Sequence, residues 1–292
     1  MKQYLDVVNE VLTRGTRKTN RTGVDTISRF NLNYEIDMSQ GFPLLTTKEI
    51  SWKNIVVENL WFLSGDTHIE LLRRHGCKFW DPWADANNRV PSAYGNFWRN
   101  FPTVQNDQLN FNDQIRWVLE QLKINPNSRR LVVSAWSPGN AQTSTLPPCH
   151  AFWMLNVQYA ESGEPMLCLH LTQRSCDVAL GLPYNIAGYA LLLMLFSKFS
   201  GIRAGTLGHT LVDAHIYTAK EDGGMKEYDH IPGLKKQLNR TPRKLPTLKI
   251  DESITKLEDI PNLLKMDTDS LTSVFTINEY DPHPAIKFKV AV

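Results

Sequence analysis

Tyr4, Leu5, Val8, Val11 and Leu12 recur at helical spacing, and Gly15 is placed to close that helix. Residues 16–25 are polar, with Arg14, Arg17, Lys18 and Arg21 close together and Gly23 permitting a turn. From 26 to 37 apolar and polar positions alternate, which predicts a strand. Trp52 to Leu63 reads as a second amphipathic helix, and Thr67-His68-Ile69-Glu70 has the capping-box pattern for a third. Ile115, Val118, Leu119 and Leu122 predict a fourth, stopped by Asn125-Pro126.

Beyond residue 130 strands dominate. Leu131 to Trp136, Phe152 to Tyr159 and Met166 to Gln173 read as strands, the last two joined by the hairpin signal Glu161 to Pro165. Asn185 to Phe199 is the most apolar helix, ended at Gly201, and Thr210 to Tyr217 is another strand. A short helix holds Leu234 to Leu238, strands lie near Leu248 and Phe275, and Tyr280-Asp281-Pro282-His283-Pro284 forms a rigid turn. There is no repeat and no linker-like tract. Helices precede strands instead of alternating with them, which predicts one α+β domain over residues 1–292 rather than a doubly wound sheet.

Composition narrows the function classes. The 292 residues are 42 % apolar and 21 % charged, as in ordinary globular proteins. The formal charge of +2 gives no global basic field, so nucleic acid is not the expected partner. The N-terminus lacks a basic region followed by an apolar one, and the apolar run Ile186 to Phe196 is shorter than the roughly 20 residues that cross a bilayer. Cys77, Cys149, Cys168 and Cys176 form no CxxC pair, so reduced thiols and a cytoplasmic location are expected.

No glycine-rich phosphate loop is present, so a phosphate would have to be held by arginines: Arg21, Arg129-Arg130, or Arg174 followed by Ser175. Each can also be read as a solvated side chain. Pro147-Pro148 fixes the chain just before Cys149, whose thiol could be a nucleophile or a buried inert residue. His209, Asp213, His215 and Tyr217 are spaced to share one strand face, either as metal ligands or as hydrogen-bonding groups for a polar ligand such as a sugar. Glu58, between Val56-Val57 and Leu60-Trp61, is either an exposed helix glutamate or a carboxyl with a raised pKa suited to proton transfer. Asn185 reads as a helix N-cap or as an amide presented to a base edge. Phe79, Trp80, Trp83, Tyr94, Phe97 and Trp98 could be core or a wall for stacking flat rings.

Taken together and in order, several segments resemble the folate-dependent, cysteine-nucleophile thymidylate synthases, over nearly the whole chain. They include Asn20 to Gly23, Pro43 to Lys48, Glu58 with Leu60 to Leu63, Trp80-Asp81, Tyr94-Gly95 and Ser128 to Arg130. They continue with Pro147 to His150, Gln173 to Asp177, Gly181 to Asn185, Asp213 to Tyr217, Tyr280 to Pro284 and the end Val290-Ala291-Val292. The resemblance implies a single α+β domain around a large mixed sheet packed by helices, dimerised sheet against sheet. It implies conversion of dUMP and 5,10-methylenetetrahydrofolate to dTMP and dihydrofolate, with no metal. Cys149 would then be the nucleophile, Glu58 the acid/base group, Tyr94 and His150 the groups near the C5 proton, and Asn185 the reader of the uracil edge. Arg174 beside the thiol would lower its pKa. Arg21, Arg174 and Ser175 would hold phosphate, with Arg129 and Arg130 donated across the dimer interface. His215 and Tyr217 would hold the deoxyribose hydroxyl, which displaces the metal reading. Trp80, Trp83, Asp177, Gly181 and Ala291 would contact the folate under a closing tail.

The chain departs from the family's usual pattern at Arg89 to Gly95, at Asn96 to Arg99, at Thr172, and by an insertion at Lys220 to Tyr228. A serine and small residues before the tyrosine also occur in related pyrimidine hydroxymethylases, where water quenches the methylene intermediate. Hydroxymethylation of dUMP is therefore the alternative reaction, and a non-catalytic nucleotide- or RNA-binding protein the alternative class. Asn185 favours uracil over cytosine, and Trp80 with the tail favours a site closed to water.

Overall fold

The computed structural model describes residues 1–291. Its helices are α1 (Lys2–Arg14), α2 (Trp52–Ser64), α3 (Glu70–Arg74), α4 (Tyr94–Arg99), α5 (Gln114–Ile124), α6 (Pro138–Thr143), α7 (Gly181–Ser200), α8 (Ile231–Leu238), α9 (Ile260–Leu263) and α10 (Thr268–Val274). The strands are β1 (Thr16–Lys18), β2 (Asp25–Asp37), β3 (Phe101–Gln105), β4 (Gln108–Asn112), β5 (Val132–Ser134), β6 (His150–Tyr159), β7 (Pro165–Gln173), β8 (Cys176–Asp177), β9 (Arg203–Thr218), β10 (Thr247–Ile250) and β11 (Phe275–Asn278).

One mixed sheet, ordered β1-β2-β9-β7-β6-β5 with β8 on β9, organises the chain. β9 runs antiparallel to β2 but parallel to β7. A parallel neighbour needs a crossover, and α7 supplies it, packing back on the sheet. This helix is long and apolar enough to cross a bilayer, but most of it is buried inside the protein. Its surroundings explain its composition: the sheet lies on one side and α2 and α5 on others, so no wet stripe is required. The expected α+β architecture is observed.

Helix ends show where local signals were sufficient. Ser51 accepts from the Asn54 amide to start α2, and Gly201 ends α7 with φ 73°. Gly15 closes α1 differently, in extended backbone; a Cβ there would stand 2.4 Å from the Val11 carbonyl oxygen and from Ile27 Cγ2. The capping box expected at Thr67 does not form. Helix α3 starts at Glu70 after Ile69, while the Thr67 hydroxyl and carbonyl are taken by Arg89 and Val90. Asn185 is likewise not an N-cap, because α7 begins earlier, at Gly181.

The expected single face of β9 is also corrected. Burial follows the odd positions Leu207, His209 and Leu211, then the even positions Ala214, Ile216 and Thr218. Opposite this change, Asn31 of β2 adopts φ 58°, and Phe30 is 70 % exposed although it is two residues from Leu32. A residue out of the extended conformation resets the alternation of side chains. His209 therefore faces the core, whereas Asp213, His215 and Tyr217 lie on the opposite side from Ala214 and Ile216. The His209–Asp213–His215 metal constellation is not assembled.

The two faces of the sheet differ. The inner face buries Trp153, Leu155, Leu169, Leu171, Leu207 and Leu211. The outer face leaves Val132 and Met154 exposed and holds a groove of about 470 Å³ lined in part by Glu35, Arg129, Met154, Cys168 and His170.

Candidate active site

Cys149 stands where the chain enters β6, half-buried, after two prolines that stiffen the approach. Its backbone N–H donates to the Tyr94 hydroxyl at 3.3 Å. Arg174, just past the end of the neighbouring β7, donates to the carbonyls of Pro148 (2.9 Å) and Pro147 (2.8 Å). This brings its Nη2 to 3.8 Å from the Cys149 Sγ, with the guanidinium over the Trp136 ring. Burial pushes the thiol pKa up, while Arg174, the Tyr94 hydroxyl and the Arg21 charge pull it down. The net shift is upward, so the expected lowering by Arg174 is present but outweighed by desolvation.

The next residue, His150, turns inward. Its ring stacks on Tyr94 at 4.4 Å and its Nδ1 lies 3.1 Å from the Tyr189 hydroxyl. Burial lowers its pKa to about 3, so the imidazole is neutral. Tyr94 is held well above its ordinary pKa by burial and stays a phenol.

Glu58 projects from α2, with its carboxyl enclosed by protein. Desolvation raises its pKa to about 7, and the 2.7 Å hydrogen bond from Trp80 Nε1 only partly offsets this. The aromatic group is thus neither pure core nor free wall. Trp80 packs against Trp61, Phe62 and Tyr94 and also holds the acid; Trp83 meets its edge at 6.2 Å.

Asn185 lies one turn into α7. Its Oδ1 accepts from Gln173 Nε2 at 3.2 Å, and the absent side chain of Gly181 leaves room beside it. Asp177 turns the chain into this helix by accepting from the amides of Ala179 and Leu180. Ser175 sits in the bend between β7 and β8. At the far end of β9, His215 and Tyr217 meet edge to face at 5.3 Å, and Asp213 accepts from Ser28 and Lys18. Burial pushes the Tyr217 phenol up to about 12, against the Arg21 charge.

The structure therefore gathers Cys149, His150, Tyr94, Glu58, Trp80, Asn185 and Arg174, with Arg21 acting on both Cys149 and Tyr217. It does not bring in Arg129 and Arg130, which are exposed in the turn before β5, with Arg129 on the outer groove. Ala291 is partly buried at the end of the tail, and Val292 lies outside the described residues. Among the described residues, no group of three or more His, Cys, Asp or Glu is placed to hold a metal ion.

Sequence reading missed several participants. Lys48 is buried, donates to the Ala179 carbonyl at 2.6 Å and lies 4.7 Å from the Phe288 ring centroid, joining the tail to the start of α7. Desolvation lowers its pKa to about 8. Gln173 and Tyr189 carry no role in the sequence reading, their signal being a polar side chain at an inward strand or helix position; His209, expected on the face of Asp213 and His215, joins them in the interior instead.

The sequence model of the thymidylate synthase family matches residues 2–292. The thymidylate synthase of Haloferax volcanii is 39 % identical, over 98 % of this chain and 95 % of that protein. A match of this extent leaves no region of the fold unaccounted for: the chain belongs to the thymidylate synthase family and is a methyltransferase of that kind.

Proposed function

We propose that the protein converts dUMP and 5,10-methylenetetrahydrofolate to dTMP and dihydrofolate, through a covalent bond between Cys149 and C6 of the uracil. The folate supplies both the carbon and the reducing equivalent. The observation that carries this reading is the Cys149 thiol set 3.8 Å from the Arg174 guanidinium, with the Tyr94 hydroxyl at its amide.

C5 of a pyrimidine is a poor nucleophile. Attack of the Cys149 thiolate at C6 converts the ring to an enolate with charge at O4 and carbanion character at C5. The deprotonated thiol is favoured by Arg174, whose charge compensates part of the burial cost. The Asn185 amide can hydrogen-bond the O4–N3 edge where that charge develops. Glu58, with its pKa near 7, can both give and take a proton through water. Once C5 has bonded to the one-carbon unit, its proton leaves by way of Tyr94 and neutral His150 in this reading, and the folate amine departs to give an exocyclic methylene. Hydride from the reduced folate to that methylene forms the methyl group as the C6–Cys149 bond breaks and releases dTMP and dihydrofolate.

Arg21, Arg174 and Ser175 hold the phosphate in this reading, and His215 and Tyr217 hold the deoxyribose hydroxyl. Trp80, Trp83, Asp177, Gly181 and Ala291 form the folate side. Arg129 and Arg130 act on the partner's site in a homodimer formed sheet against sheet. That assembly is supported by the apolar side chains left on the outer face and by the exposure of both arginines.

The test is incubation with dUMP and methylenetetrahydrofolate, following dihydrofolate by absorbance and the nucleotide by mass. Equal amounts of dihydrofolate and dTMP are expected. A 5-hydroxymethyl product without dihydrofolate would replace this reading with hydroxymethylation, and no product would refute both.

A further inference from the structure

Behind Asn185 runs a row of buried polar groups that the reaction does not touch. Gln173 ends β7, His209 lies on β9, and Tyr34 faces His209 directly across the β2–β9 pair. The Tyr34 hydroxyl is 2.6 Å from His209 Nδ1, His209 Nε2 is 2.7 Å from Gln173 Oε1, and Gln173 Nε2 is 3.2 Å from Asn185 Oδ1. His209 and Gln173 are almost fully buried, 1 % and 2 % exposed, among Leu171, Leu207 and Leu211. A buried polar group left without its partner is costly, so each member constrains the next.

The proton positions follow from donor and acceptor counting. The Tyr34 hydroxyl has no hydrogen-bond acceptor but His209 Nδ1 among the described residues, so it donates there. His209 is neutral, its pKa held well below the usual value by burial, so its single proton is on Nε2 and is given to Gln173 Oε1. The Gln173 amide then presents Nε2 to Asn185 Oδ1; the Ser175 carbonyl, 3.5 Å from the same Nε2, agrees. Asn185, whose side chain also meets His150, is left with Nδ2 to donate and Oδ1 to accept at the base edge. That is the complement of uracil, with an oxygen at C4 and N3–H. Cytosine, with an amino group at C4 and a bare N3, needs the amide reversed.

We infer that Tyr34 and His209 are positioning residues for base choice: they set the tautomer and amide orientations that keep Asn185 reading uracil. This rests on the proposed role of Asn185 in reading the base. Loss of the Tyr34 hydroxyl leaves Nδ1 without a donor in a dry core. His209 can then move its proton to Nδ1, Gln173 and Asn185 can reverse in turn, and Oδ1 becomes free to accept the cytosine amino group.

The experiment measures kcat/KM for dUMP and dCMP in wild type, Tyr34→Phe and Asn185→Asp, with the His209 tautomer read by ¹⁵N NMR of histidine-labelled protein. Signals are assigned by their loss in His209→Phe, which needs only to fold. Wild type should show protonated Nε2 and prefer dUMP. Tyr34→Phe should move the proton towards Nδ1 and lower the dUMP-to-dCMP ratio about tenfold, and Asn185→Asp should shift the ratio towards dCMP. If Asn185→Asp shifts the ratio and Tyr34→Phe does not, the relay is overturned while base reading by Asn185 stands. If neither shifts it, both are overturned. Protonated Nδ1 in wild type would overturn the relay by itself.

Discussion

The inner and outer faces of one sheet carry the same kinds of side chain and make different things of them. His150 on the inner side, stacked on Tyr94, has its pKa driven to about 3; His170, on the outer side, is lowered by burial too, but Glu35 nearby pulls it back. Cys149 lies beside a guanidinium, whereas the Cys168 thiol has as its hydrogen-bond partner among the described residues the Met166 carbonyl at 4.0 Å. Enclosure within one protomer, not residue identity, separates the two sets. Charges act strongly where water is excluded and weakly where it is not. On the inner side this produces an acid with a pKa near 7, a neutral imidazole and a thiol under the influence of a cation.

The contrast between thiols gives the largest expected effect. Cys149→Ser should lower turnover by at least ~10³, since an alcohol forms almost no alkoxide at neutral pH. Binding of dUMP, measured by calorimetry, should largely survive. Turnover within tenfold of wild type would show that the inner thiol is no more special than the outer one.

Glu58→Gln comes next. Turnover should fall about 10²-fold, the usual contribution of a positioned acid/base group. Stability should move the other way. The carboxyl has a folded pKa of about 7 against an ordinary value of 4.5, so the fold favours its protonated form. That contribution is fully present below pH 4.5 and is lost as pH rises through 7. A neutral amide does not lose it, so Glu58→Gln should be more stable than wild type above pH 7 by about 3 kcal/mol, with no gain near pH 4. Urea unfolding at both pH values checks this; equal differences at both would mean that the carboxyl is not desolvated.

The outer face is tested through subunit mixing. Cys149→Ser and Arg129→Ala homodimers should each be nearly inactive. Random exchange makes half of the dimers mixed, each with one intact site, so roughly a quarter of wild-type activity should return. If native mass spectrometry shows mixed dimers and no activity appears, Arg129 does not serve a partner's site.

The legible parts of this molecule were those written in local sequence. The long helices, the hairpin at Glu161 to Pro165 and the strand through 26–37 follow from periodicity and turn chemistry, and Pro147-Pro148-Cys149-His150 marks the thiol. What was not legible depends on long-range placement. The phase change at Asn31 separates His209 from His215, though their spacing alone puts them on one face. Asn185 reads as a cap until the start of α7 at Gly181 is known. The Trp80–Glu58 hydrogen bond and the Lys48–Ala179 contact join residues 22 and 131 positions apart, which no window along the chain contains.

The smallest effect belongs to His170→Gln. His170 Nε2 lies 3.0 Å from the Thr210 hydroxyl, which in turn donates to Asn33 Oδ1. These groups face the outer side, the surface that the proposed homodimer covers, but a glutamine amide can keep the hydrogen bond to the Thr210 hydroxyl, so the change should cost only about 1 kcal/mol in urea unfolding at fixed protein concentration. The pH–rate profile should keep its shape and kcat/KM should stay within twofold, because His170 lies across the sheet from Cys149, Glu58 and Asn185, and on its own face Arg129, not His170, is the group proposed to reach a substrate. His150→Gln, by contrast, places an amide against Tyr94 and Tyr189 in the dry interior and should alter the pH–rate profile as well as the rate. Should His170→Gln move the apparent pKa values of catalysis as His150→Gln does, the two faces are electrostatically coupled through the sheet, and the division between them fails.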